Sequence, residues 1–259
     1  MRVFRPLCGG MRPLIRVWFE SEKRVKPLCA VTYRSVSHST PSPLHVNNNN
    51  NYNKNINADV PGVKSAPGWI CASSTSVLNS VLMHVEVRQD FITEEEEKEL
   101  LRELEPGLKK RRYEFNHWDD AIHGFRETEK LQWGSECTGV LARVRATAFP
   151  EGSPLLGPVH VLDLDKTGFI KPHVDSVKFC GSTIAGICLL SDSVMRLVRE
   201  ENSADWVDLL LSRRSLYILR DEARFKFTHE ILKDEESYFS GQKVPRHRRI
   251  SVICRNLPV

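Results

Sequence analysis

Three side chains able to hold a metal are spaced along this chain so that only a returning β-sheet can gather them. His173 and Asp175 stand two apart, so on an extended strand both leave from the same face. His229 follows 54 residues after Asp175, enough chain to come from another strand of a barrel. Arg249 lies 20 residues beyond His229, and five residues separate it from Arg255. Two histidines and one carboxylate occupy one face of an octahedral Fe(II), leaving the other positions for a bidentate 2-oxoacid and dioxygen. A planar guanidinium fork suits the carboxylate of such an acid.

Each piece alone is weak. A second triplet of the same form occurs at His117-Trp118-Asp119, and His84-x-Glu86 is a fainter one. The first of these lies in a polar, aromatic stretch without strand alternation, which reads as a loop or a substrate-facing segment. Neither is followed by a spaced histidine and an arginine pair. The full order, placed on expected strands, is what gives the signal its specificity.

The pattern around these residues supports a sheet. From Pro158 onward the chain breaks into short apolar runs: 159–164, 169–175, 183–190, 194–198, 206–211, 215–219, 225–232 and 250–254. Each has strand length and is bounded by Gly, Pro, Ser or charged residues. Ahead of them, Thr93 and Glu96 form a capping box before Leu100, Leu101 and Leu104, and Pro106-Gly107 is expected to close that helix. A second helix is expected over about 134–149, with Cys137, Leu141, Val144 and Ala148 on one face. Helices followed by many short strands predict an α+β fold, a double-stranded β-helix (jelly roll) buttressed by N-terminal helices.

Charge divides the chain. Residues 1–83 hold ten Lys/Arg against three Asp/Glu, whereas residues 84–259 hold 27 against 30. The folded part is therefore slightly acidic, which argues against a strong non-specific hold on a phosphate backbone. Arg2, Arg5, Arg12 and Arg16 precede the first acid, Glu20, and serines follow, the composition of a mitochondrial transit segment. Residues 1–40 are read as that segment, implying the mitochondrial matrix. Residues 41–83, with the tract Asn47–Asn51, are read as a disordered linker, with no stable fold before about Ser80. The domain is expected over 84–259. The seven cysteines form no C-x-x-C pair, against a zinc cluster or a disulfide scaffold. No apolar run has the ~18 residues of a membrane span, so no membrane insertion is expected. The chain is read as a monomer. The run Lys109–Arg112 is read as a solvated charge cluster.

On the last expected strand Arg249, Ser251, Ile253 and Arg255 share a face. Two arginines within an otherwise apolar strand are costly unless paired, which favours a ligand anchor. Arg249 suits the distal carboxylate, Ser251 is placed to donate to it, and Arg255 is expected deeper, nearer the metal. Tyr217, between Leu216 and Ile218, needs a buried partner, either the 2-oxoacid carboxylate or a backbone carbonyl.

At these residues the chain resembles the AlkB family of Fe(II)/2-oxoglutarate dioxygenases, whose pattern is H-x-D, H and R-x5-R. The segments IKPHVDSVKFCG, SLYILR, HEILKDEESYF and RRISVICR carry the likeness to a mitochondrial branch of that family, over about residues 84–258. The resemblance implies iron at His173, Asp175 and His229. It implies 2-oxoglutarate contacts at Tyr217, Arg249, Ser251 and Arg255, with O2 as the second co-substrate. Nucleic-acid demethylases of the family carry an Asn-x-Tyr pair where this chain has Leu162 and Leu164. Acidic base-reading residues after H-x-D are replaced by Ser176-Val177-Lys178-Phe179. These departures speak against flipping a base from a duplex. They leave an exposed base of mitochondrial transfer RNA, or a matrix protein, as the macromolecular substrate. An iron-filled jelly roll serving only as an interaction module is the reading from a different class.

Overall fold

The computed structural model describes residues 67–258 except 116, 118 and 119. The expected transit segment and the asparagine tract lie outside the described residues. Packed structure begins before His84. Strand β1 (Ile70–Ala72) joins the sheet, and helix α1 (Thr75–Val81) follows it. The Ser74 hydroxyl accepts from the Val77 amide at 3.2 Å, and Val77 and Val81 seat on the main core. The expectation of no fold before about Ser80 is thus corrected. Elements of three and seven residues are too short to declare themselves by periodicity.

Strand β2 (Val85–Arg88) precedes helix α2 (Glu94–Leu108), which starts on the expected capping box. The helix runs through Pro106 instead of stopping there, because Leu108 is drawn onto the core and is fully buried. Proline in the last turn sacrifices one hydrogen bond, and the Lys109 amide still reaches the Glu105 carbonyl at 2.9 Å. Strand β3 (Ile122–Lys130) and helix α3 (Ser135–Ala148) come next.

The rest is sheet: β4 (Val159–His173), β5 (Thr183–Leu189), β6 (Ser193–Arg199), β7 (Asn202–Leu211), β8 (Leu216–Arg220), β9 (Phe227–Ile231), the small hairpin β10 (Tyr238–Phe239) and β11 (Gln242–Lys243), and β12 (Arg249–Arg255). A short helix α4 (Asp221–Phe225) occupies the start of the run expected as strand 225–232. The strand order is β1-β7-β6-β9-β4-β12-β5-β8-β2, antiparallel throughout.

Strand β4 makes this a jelly roll. It is one strand where two were expected. Its first half pairs with β12 (Leu164 opposite Arg249), and its last residues pair with β9 (His173 opposite His229). Strand β3 follows its other edge throughout. β4 therefore belongs to both halves of the curled sheet. The bend is made possible where β3 bulges after His123, at Gly124 with φ +61°. A Cβ on Gly168 would stand 2.5 Å from the Gly124 carbonyl, so the strands come this close there only because residue 168 is glycine.

Alternation along the strands then separates two cores. Val159, Val161, Ile187, Ile218, Ile250 and Val252 face outward onto α2 and α3. Leu162, Leu164, Ile184, Tyr217 and Ile253 face inward, together with Met195, Leu197 and Ile231 of the other half. The candidate site residues lie on the inward face.

Candidate active site

His173 ends β4, and His229 sits in the middle of β9 as its direct cross-strand partner. Their ring centroids lie 4.2 Å apart. The two-residue spacing predicted one strand for both residues, but Asp175 does not share the strand with His173. The strand stops, and Asp175 lies in the segment just beyond it, 2% exposed. The chain turns inward there, so Asp175 Oδ1 comes 3.4 Å from His173 Nε2 and 3.7 Å from His229 Nε2. One ligand atom from each of the three residues fits within 4.8 Å of the others, and no second such group converges among the described residues.

The second contacts of these residues orient them toward the cluster. His173 Nδ1 lies 2.9 Å from the Lys171 carbonyl, which fixes the ring and turns Nε2 toward the cluster. Asp175 Oδ2 accepts from Arg255 Nε at 2.7 Å, while Oδ1 is buried and accepts no hydrogen bond. Burial alone would raise the Asp175 carboxyl, but the Arg255 guanidinium and the two histidines hold it well below the usual range. Burial, reinforced by His173, pushes His229 down to about 3. A charged carboxylate facing two imidazoles, that of His229 kept neutral by burial, is a donor set that fits a divalent metal.

All the other sequence-predicted residues line the same cavity of about 440 Å3: Tyr217, Arg249, Ser251 and Arg255. Arg249 is 1% exposed, yet its Nε has no partner and its Nη2 meets only the Cys188 sulfur at 3.4 Å. The Ser251 hydroxyl beside it is also buried and unpartnered. Burial and then Arg249 push the nearby Arg246 guanidinium down to about 10. The pocket therefore holds uncompensated positive charge, which suits a dicarboxylate. Tyr217 is walled in so that burial raises its hydroxyl to about 12, and it stays a neutral donor. Leu162, where demethylases of the resembled family carry asparagine, lines the wall with Ile122, Ile170, Met195 and Ile231.

The rival triplets dissolve into ordinary contacts. His117 packs edge-on against Phe125 and lies 3.8 Å from Glu127, and Asp119 is outside the described residues. His84 faces Asp221, while Glu86 pairs with Arg88 and Arg220. Lys109 pairs with Glu105 at the end of α2, as a solvated charge does. Sequence reasoning missed His160 and Glu127, which sit behind Arg255. One signal was there: His160 alternates with Leu162 and Leu164 and so faces inward. It also missed Arg224 of α4, 1% exposed, which donates to the Ser176 and Cys180 carbonyls at 3.4 and 3.3 Å and so braces the turn after Asp175.

No family model matches the chain. It is 57% identical over 194 residues to the Bos taurus protein named alpha-ketoglutarate-dependent dioxygenase alkB homolog 7, mitochondrial, covering 75% of this chain and 88% of that one. It is 58% identical to the protein of the same name from Mus musculus, with the same coverage. Among solved structures, the structure of OsALKBH1 superposes with a TM-score of 0.50 at 10% identity, covering 66% of this chain and 97% of that one. This last likeness concerns the fold alone.

Proposed function

Because the chain belongs to the mitochondrial alkB homolog 7 family of 2-oxoglutarate-dependent dioxygenases, we propose that it hydroxylates a methyl group of a mitochondrial macromolecule at an iron held by His173, Asp175 and His229. The enzyme class and the mitochondrial location follow from the family; the matrix, the metal and the substrate are the proposal. Iron in that site would supply O2 activation, so that 2-oxoglutarate and O2 yield succinate, CO2 and one hydroxylated C–H. The observation that carries the reading is the shared cavity: three converging donors at one end and an unpaired buried Arg249 at the other.

The chain's own residues divide the work. Arg249 and Ser251 hold the distal carboxylate of 2-oxoglutarate, Tyr217 donates from its neutral hydroxyl, and Arg255 fixes Asp175 and closes the inner wall. Ile122, Ile170, Met195 and Ile231 keep water from the reacting carbon. On an N-methyl group the hydroxylated carbon leaves as formaldehyde, giving back the unmethylated nitrogen.

The substrate we favour is a methylated base of mitochondrial transfer RNA, met by a monomer. Phe115, 77% exposed, stands where the chain enters β3, the strand that supplies Ile122 to the cavity. An exposed ring suits an unstacked base. A matrix protein is the second reading, favoured by the apolar cavity wall and the acid excess of residues 84–259.

The test uses the full chain, since a start at residue 80 would remove β1 and most of α1. With Fe(II), 2-oxoglutarate and total mitochondrial RNA, mass spectrometry follows methylated nucleosides while succinate is measured. Loss of one nucleoside, absent in His173→Ala, is the expected result. Succinate formation with every nucleoside unchanged would move the substrate to protein. No turnover with either would overturn the metal site.

A further inference from the structure

From Asp175 a line of hydrogen bonds runs away from the cluster through the protein. Arg255 Nε meets Asp175 Oδ2 at 2.7 Å, Arg255 Nη1 meets His160 Nδ1 at 3.2 Å, and His160 Nε2 meets Glu127 Oε2 at 2.8 Å. We propose that His160 and Glu127 are positioning residues. Acting through Arg255, they hold Asp175 so that Oδ1 alone is offered to a divalent cation. The proposal rests on the metal reading above.

The direction of every bond in the line is fixed. A guanidinium has only donors, so His160 Nδ1 must accept from Arg255. That leaves the ring proton on Nε2, from which it donates to Glu127. Glu127 is therefore needed as an acceptor. Burial would raise its carboxyl, but His160 brings it below the usual value, so it is charged. The line thus runs from a negative Asp175 through a positive Arg255 and a neutral His160 to a negative Glu127. Glu127 comes from β3, His160 from β4 and Arg255 from β12, three adjacent strands with these side chains on one face.

Arg255 also borders a small pocket, open to the surface, that is lined by Glu129, Leu156, Pro158, His160 and Ile253. Glu129 offers a rival carboxylate there. Without His160 to accept from Nη1, the guanidinium can turn toward Glu129 and release Asp175 Oδ2. Both carboxylate oxygens would then be free, and the aspartate could rotate or chelate in the wrong geometry. The bond to His160 selects the conformer in which Nε meets Oδ2.

The experiment titrates the full-length protein with Co(II) anaerobically, reading visible absorption with and without 2-oxoglutarate. His160→Leu and Glu127→Leu are expected to weaken Co(II) binding about tenfold or more and to shift the bands. Glu127→Gln, whose amide oxygen still accepts from His160, is expected to keep the wild-type spectrum and most of the affinity. If both leucine variants match wild type in affinity and spectrum, the positioning role is overturned. If Glu127→Gln is as impaired as Glu127→Leu, the hydrogen-bond account is overturned as well. Should His160→Leu not fold, the two Glu127 variants, matched by thermal unfolding, decide. A wild-type protein that takes no Co(II) would instead sink the metal reading itself.

Discussion

The ring of Tyr217 lies over Gly186 across the β5–β8 pair, so close that a methyl group on the glycine would stand 2.5 Å from the ring and its hydroxyl. Gly186 thus makes the space that Tyr217 occupies. Gly186→Ala is expected to push the ring toward Arg249 and Ser251. Overpacking of this kind costs about 1–3 kcal/mol. Thermal unfolding should show that loss, and steady-state kinetics should show KM for 2-oxoglutarate rising more than kcat falls. An unchanged KM would mean that Tyr217 does not border the 2-oxoacid.

Arg249 should affect binding and stability in opposite directions. Its Nε is buried without a partner, so the unliganded protein carries an uncompensated charge that a carboxylate would neutralise. Arg249→Leu is expected to weaken 2-oxoglutarate binding by about 30-fold or more. The same change should leave the unfolding temperature of the unliganded protein equal or higher. Calorimetric titration and a thermal scan check the two arms. A fall in stability with unchanged binding would make Arg249 a structural residue.

Asp163 holds the outer side of β4. It is fully buried and accepts from Tyr113 at 3.1 Å, from Arg126 at 2.7 Å, and from Arg248 at 3.0 and 2.8 Å. Asp163→Ala would take the carboxylate from Arg126 and leave Arg248 with Glu105 alone, a change that costs about 3 kcal/mol, the low end for a broken buried pair. Urea denaturation should show this, with Asp163→Asn milder. A loss under about 1 kcal/mol would place the pairs among ordinary surface bridges.

The start of α2 should make the fold acid-sensitive. The hydrogen bond from Arg143 holds Glu96 below its ordinary value against the opposing effect of burial, helped by the Thr93 amide. A depressed folded value means that this stabilisation is present above the unfolded carboxyl value and lost as pH falls through the folded one. Glu96→Gln should therefore flatten the fall of stability between about pH 5 and about pH 3. Thr93→Ala, which removes the cap itself, should cost about 1 kcal/mol at neutral pH. An unaltered acid limb in Glu96→Gln would count against the Arg143 pair.

Parts of the fold could be read directly. The Thr93/Glu96 box, helix α3 and the strand-length runs after Pro158 are set by contacts within a few residues, so periodicity reports them. The jelly roll and the AlkB likeness follow from the same stretch. Strands β1, β2 and β3 were not legible. β1 is three residues long, and β3 (IHGFRETEK) is mostly polar because it lies along one edge of β4. Nor was the merger of two runs into β4, which depends on Gly124 meeting Gly168 across the chain.

The sequence by itself determined the chemistry of this protein: which residues can hold a metal, which can hold a dicarboxylate, and that strands must bring them together. Those properties belong to side-chain type and spacing. Tertiary structure alone decided how they are presented. The end of β4 at His173 turns Asp175 inward, and the bond from Arg255 leaves one Asp175 oxygen for a cation. His160 and Glu127 stand behind that arginine only because β3, β4 and β12 lie side by side. The physical reason is that hydrogen-bond direction and burial depend on neighbours distant in the chain, which no local pattern records.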